Sequence, residues 1–185
     1  MLKTNFIFVT VLSLACNKSA LFNIEIAESS TVGIPSAGPL GEVTELVDDV
    51  GFGGFSEMNI VESEELSNQG VSPGDIEEAI LSIFTLTVEA PEAGDLSFIE
   101  QMDIYVEAPD LTTEIVATQD DFPEGQTVVE FQLTGVDLTA HIISESLTIT
   151  TDVVGSLPSE DTTVRADITL VVGVTAQGVR NAAAQ

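Results

Sequence analysis

The chain has one cysteine, no tryptophan, one tyrosine, one histidine and only four basic residues in 185 positions. A single cysteine excludes an internal disulfide and any zinc site built from several thiolates, so packing alone must hold the fold. Four Lys and Arg against 31 Asp and Glu give a formal charge of −27. That balance excludes nucleic acid and anionic lipid surfaces as partners, because phosphate binding needs clustered cations. A Ser-His-Asp hydrolase would have to use His141, the only histidine, and no Gly-x-Ser-x-Gly nucleophile elbow is present. With Tyr105 as the only tyrosine and no tryptophan, little is available to stack on a sugar ring. No apolar run reaches the roughly 20 residues of a membrane-spanning helix, and no 3.6-residue period persists over a useful length.

What the chain does have is apolar, β-branched sequence with a period of two. Hydrophobic residues make up 44% of it, too many for the disorder that high charge alone would suggest. Ile80 to Ala90 alternates, with Phe84, Leu86 and Val88 on one face and Leu81 and Ile83 on the other, interrupted at Ser82. Met102, Ile104 and Val106 alternate with Asp103, Tyr105 and Glu107, and Thr113 to Thr118 makes a short strand. Val129, Phe131 and Leu133 read as one strand with Val128, Glu130 and Gln132. Leu147 to Val153 follows, and Val164 to Val174 gives a long inward stripe opposite Arg165, Asp167 and Thr169. Phe55 to Val61 is a further candidate strand and Glu62 to Asn68 a short helix or turn. Alternating runs bounded by Pro, Gly and Asp are the strand signature. Six of them in about a hundred residues predict an all-β fold, an antiparallel β-sandwich.

The N terminus reads as a secretory signal. Lys3 supplies a positive start, Phe6 to Leu14 an apolar segment within the expected ~7–15 residues, and Ala15 a small residue at the cut. Ser13-Leu14-Ala15-Cys16 resembles the lipobox of bacterial outer-membrane lipoproteins, here of an uncharacterised secreted family. Its pattern departs at Ser13, where Leu is usual, and at the bulky Leu14. The resemblance implies cleavage before Cys16 and acylation, including palmitate, of that cysteine. Two or more chains anchor a protein stably where one does not. It also implies delivery to the cell envelope, the outer membrane by default, since Asn17 stands where the family's inner-membrane retention signal has Asp. Removing residues 1–15 takes away Lys3 and no acid, leaving Lys18, Arg165 and Arg180 as the bases. Residues 16–41, with Ser29-Ser30-Thr31, Gly33, Pro35, Gly38, Pro39 and Gly41, read as a lipid-anchored linker. Residues 42–185 then form a single domain.

In an antiparallel sandwich successive loops fall at alternate ends, so loops 91–97, 119–127 and 155–162 share one pole. Their acids are Glu92, Asp95, Asp120, Asp121, Glu124, Glu160 and Asp161. Seven carboxylates at one end suit a hard cation, and calcium, with ~6–8 oxygen ligands, is the one this pole would take. The plainer reading is a solvated acidic surface, because a chain with 31 acids has acidic loops everywhere and no EF-hand spacing occurs. His141 reads as a structural histidine in a strand edge or connection, and Arg165 as a cross-strand partner for a carboxylate. The expectation is a non-catalytic envelope lipoprotein acting as a binding or scaffold module. Its partners would be the membrane through its lipid, another envelope protein, or cations. The alternative is a calcium-dependent adhesion or carbohydrate-binding module using the acidic pole. High acidity also suits a saline medium, where screening makes self-repulsion tolerable.

Overall fold

Strands rather than helices dominate the computed structural model, which describes residues 22–37, 45–47, 55, 57–144 and 146–175. The leader, Cys16 and the Gly51 to Gly54 stretch lie outside these residues. Among the described residues, nine strands form two sheets: β1 (Phe22–Ile34), β2 (Glu45–Val47), β3 (Ile76–Ala90), β4 (Ile99–Glu107), β5 (Glu114–Gln119), β6 (Val128–Glu130), β7 (Gln132–Leu133), β8 (Thr148–Ser156) and β9 (Thr162–Val174). One sheet has the order β1-β9-β3-β6 and the other β2-β8-β4-β5-β7, and every pairing is antiparallel. The all-β sandwich expected from the alternation is therefore the fold. With β7 left aside, the orders 1-9-3-6 and 2-8-4-5 are those of a double-sheet jelly roll, in which β4 and β5 form a hairpin within one sheet while the β3–β4, β5–β6 and β8–β9 connections cross between sheets.

The core lies between the two sheets, and its rows follow the register. Ile26 pairs with Leu170 and Leu170 with Leu81, and all three are at most 5% exposed. Ile104, Met102 and Val106 face them from β4, with Ile149 and Val153 from β8. Each such side chain removed from water contributes about 1.5–3 kcal/mol. Among aromatic residues, Phe84 and Phe131 meet edge-to-face at 4.9 Å, and Phe131 meets Phe122 at 6.0 Å.

Four expectations need correction. Residues 22–34, read as part of a linker, are β1, a 13-residue edge strand paired along its whole length with β9. The Ser and Gly content suggested a tether, yet Ile24, Ile26, Ser30 and Ile34 are buried. The sandwich therefore starts at residue 22, not at 42. Phe55 to Val61 makes only a single bridge, Met58 to Leu147, before a 3-10 turn at Ile60–Glu62. That turn and α1 (Glu64–Asn68) are capped by Asn59 and Ser63, whose side chains compete with strand pairing.

β3 contains a bulge between Leu81 and Ile83, so Leu81 and Phe84 both face inward despite their spacing. Ser82 supplies the extra residue and donates its hydroxyl to the Thr169 carbonyl at 3.0 Å, as bulges allow. The run 128–133 is not one strand. It pairs with β3 through Val128–Glu130, then crosses at Phe131 to pair with β5. Phe131 N–H still reaches the Phe84 carbonyl at 3.0 Å.

Candidate functional site

Strand polarity brings the three expected loops together. β3 and β5 end, and β8 ends, at the pole where β4, β6 and β9 begin. Segments of all three loops line an open cleft of ≈ 910 Å³, with Gly94, Asp95, Phe98, Gly125, Pro158 and Glu160 on its walls. Pro91, immediately after β3, cannot continue a ladder, and Pro158 shapes the β8–β9 loop in the same way. Phe122 is buried against Phe131, which pins the β5–β6 loop to the core beneath.

Asp95 braces the cleft. Its Oδ1 accepts the Ser97 N–H at 3.1 Å and the Ser97 hydroxyl at 2.7 Å. Its Oδ2 accepts the Gly125 N–H at 2.7 Å, which ties the first loop to the second. These donors, the Gly125 amide first, then the Ser97 hydroxyl and amide, favour the ionised carboxylate and hold Asp95 below the ordinary aspartate range. Gly125 turns through the left-handed region at φ +76°, where a side chain would be strained.

Asp161 makes the second brace. Its Oδ1 accepts the Ser36 N–H and the Ser36 hydroxyl, both at 2.8 Å, and the Ala37 N–H reaches the Pro158 carbonyl at 2.9 Å. The Ser36 amide, then its hydroxyl, lowers the Asp161 pKa. Gly155 packs against the backbone of Phe98, which lines the cleft. A Cβ there would collide with the Phe98 carbonyl and sit 2.9 Å from Ile99 Cα, and the Ser156 N–H bonds that same Phe98 carbonyl at 2.7 Å.

The remaining carboxylates diverge. Glu124 and Glu160 line the cleft, whereas Glu92, Asp120 and Asp121 are exposed outside its lining. The Asp120 and Asp121 amides turn back to Gln119 Oε1 at 3.0 and 3.3 Å, which fixes the loop backbone without gathering its acids. Among the described residues, no three of His, Cys, Asp and Glu are placed to hold a metal ion. The seven acids share a pole but do not form an oxygen cage.

His141 lies at the other pole, in α2 (Thr139–Ile142), within the connection from β7 to β8 and not at a strand edge. It is 5% exposed, and Nε2 sits 3.0 Å from the Thr112 carbonyl. A carbonyl only accepts, so Nε2 carries the proton. Its buried Nδ1 has no hydrogen-bond partner. Arg165 pairs across strands with Glu89 at 3.0 Å and along its own strand with Asp167 at 2.9 Å, the carboxylate partnership expected of it.

The cleft therefore presents hydroxyls and carboxylates over a partly apolar floor, with no histidine, cysteine, lysine or arginine among the described residues of its lining. Ser97 has a carboxylate neighbour, but that carboxylate is held ionised by three donors and is a weak base. The arrangement accepts hydrogen bonds and attracts cationic or hydroxyl-rich groups; it has no activated nucleophile. Sequence reading located the pole but missed Phe98, Ser156 to Ser159 and Ser36. The Ser-Leu-Pro-Ser run at 156–159 was the available signal.

The chain matches no protein-family model and no curated protein. Among solved structures it is similar to the decameric BFDV capsid protein, at 11% identity and a TM-score of 0.40, covering 83% of this chain and 98% of that one. It is also similar to the 60-mer BFDV capsid protein, at 9% identity and a TM-score of 0.39, covering 85% and 95%. Likenesses this distant carry nothing over to this chain.

Proposed function

We propose that the protein is a non-catalytic module of the bacterial cell envelope, anchored by acylated Cys16, that binds its ligand in the loop-pole cleft. The observation that carries the binding role is the convergence of three loops, far apart in sequence, on one cleft braced by Asp95 and Asp161. Loops positioned by a rigid sandwich are where binding residues concentrate, and concave sites of about 300–1,000 Å³ are typical of ligand pockets. The exposed acceptors Glu124 and Glu160 favour a ligand rich in hydrogen-bond donors, whether polyhydroxylated or cationic. The carboxylate beside the Ser97 hydroxyl, Asp95, is held ionised by three donors and is a weak base, which supports binding without turnover.

The test places detergent-extracted full-length protein on arrays of oligosaccharides and of Lys-rich peptides, beside Ser159→Trp, which fills the cleft. Binding by the wild type that falls at least about tenfold in Ser159→Trp, at unchanged melting temperature, supports the cleft; that loss corresponds to about 1.4 kcal/mol. Equal binding by both proteins refutes it. Fractionation of Cys16→Ala tests the anchor separately: release from membranes and loss of acyl labelling are expected.

A further inference from the structure

Strand polarity fixes which pole lies next to the anchor. β1 starts at Phe22, opposite Val174 at the end of β9, and finishes at Ile34, opposite Thr162 at its start. Val174 also pairs with Ile76, the first residue of β3. The start of β1 is therefore at the pole opposite the cleft, where the β4–β5 loop and α2 close the sandwich. Three of the exposed large hydrophobic residues lie there, Leu111 at 38%, Ile115 at 42% and Ile143 at 43%, whereas Val128 at 48% and Val154 at 44% lie toward the cleft on β6 and β8. Leu111, Ile115 and Ile143 belong to one stapled unit. His141, two residues before Ile143, bonds the carbonyl of Thr112 beside Leu111 at 3.0 Å, and the Thr134 hydroxyl bonds the Ile115 carbonyl at 2.7 Å.

We infer that this pole rests on the lipid surface, with Leu111, Ile115 and Ile143 at the bilayer interface, and that the cleft is presented to a partner on the side away from the membrane. This rests on the Cys16 anchor proposed above. Chain length excludes the reverse orientation, with the cleft on the membrane. The six residues from Cys16 to Phe22 reach at most about 20 Å. The 13 residues of β1, at a rise of about 3.3 Å each, put the cleft some 40 Å beyond Phe22. Turning the cleft onto the membrane would require Phe22 itself to stand about 40 Å away, twice the reach. A linker running to residue 41 would have spanned roughly 90 Å and left both orientations open. Asp110 and Glu114 flank the apolar residues, so the contact is with the interface and is weaker on anionic lipid.

The only native cysteine is the acylated one, so an introduced cysteine is the sole free thiol of the anchored protein. Full-length Leu111→Cys and Ser159→Cys are labelled with a bulky polyethylene-glycol maleimide in opened, detergent-free membranes, and again after Cys16→Ala has released each variant. Apolar side chains seated about 5–10 Å into the headgroup boundary are shielded. On membranes, Ser159→Cys should label at least about tenfold faster than Leu111→Cys, and after release the two rates should agree within about twofold. Ile143→Cys, at the same pole, should behave as Leu111→Cys does and guards against a misfolded variant. Equal rates on the membrane, or protection of Ser159→Cys, overturn the inference. Failure of the anchor itself shows separately, as Cys16→Ala that stays membrane-bound or a wild type without acyl label, and the inference falls with it.

Discussion

The two poles of the sandwich are held together in different ways. At the cleft pole, ionised carboxylates reach across the sequence: Asp95 joins the β3–β4 loop to Gly125, and Asp161 joins the β8–β9 loop to Ser36. At the opposite pole, neutral groups do this work. The Leu138 N–H reaches the Ala79 carbonyl at 2.7 Å, the Thr175 N–H reaches the Asp75 carbonyl at 2.9 Å, and His141 holds Thr112. Two carboxylates are exceptions: Asp137 accepts the Thr139 N–H and hydroxyl, and Asp75 accepts the Ser72 N–H at 3.1 Å. A charged acceptor at a surface tolerates water on its free lone pairs, whereas a buried brace must match donor to acceptor completely. The cleft pole can thus be open and polar, and the other pole closed.

The comparison breaks most visibly at His141. His141→Ala should remove a buried ring and leave the Thr112 carbonyl without its donor, costing about 2–4 kcal/mol in urea unfolding. A loss below about 1 kcal/mol would mean that neutral packing does not secure that pole.

Asp95→Asn probes the charged brace and should lower the melting temperature by less, with a pH signature. Folding depresses the Asp95 pKa, so its contribution is fully present above the unfolded-state value and is lost as pH falls through the folded one. The gap between wild type and Asp95→Asn should therefore be open at pH 7, start to close as pH falls below about 4, and vanish only below the depressed folded-state value. A pH-independent gap would show that the brace does not depend on charge.

The smallest effect lies between the poles. Asp103 and Asp152 face each other directly across β4 and β8, and like charges so placed are destabilising. Desolvation, with Asp103 and Asp152 nearby, also raises the pKa of Tyr105. Asp152→Lys should stabilise the protein by roughly 0.2–1 kcal/mol at low ionic strength, and the gain should shrink in salt. No gain at low salt would mean that the acids of this face are already fully screened.

The strands were legible where one face is apolar and the period unbroken, as at Met102-Ile104-Val106 and Val164 to Val174. β1 was not, because Glu28 stands in its inward phase and Ser30 is buried there while Ala27 and Ser29 face out. At an edge, an inward-phase charge can still reach water, and such charges are a known guard against edge pairing. The Ser82 bulge was visible only as an interruption, since its effect on Leu81 depends on pairing with β9. The shared pole of three loops followed from antiparallel connectivity alone. Which way each carboxylate turns did not, because hydrogen bonds such as Asp161 to Ser36 join residues that only the completed fold makes neighbours.

The place of β9 has a consequence for how the chain comes into being. β1, at the front of the sequence, pairs with β9 and no other strand, and β9 also pairs with β3. The first strand therefore has no partner until the last one has been delivered. Contacts so distant in sequence form slowly. Until β9 is available, the sheet that joins β1 to β3 cannot close, and the segments before it remain extensible.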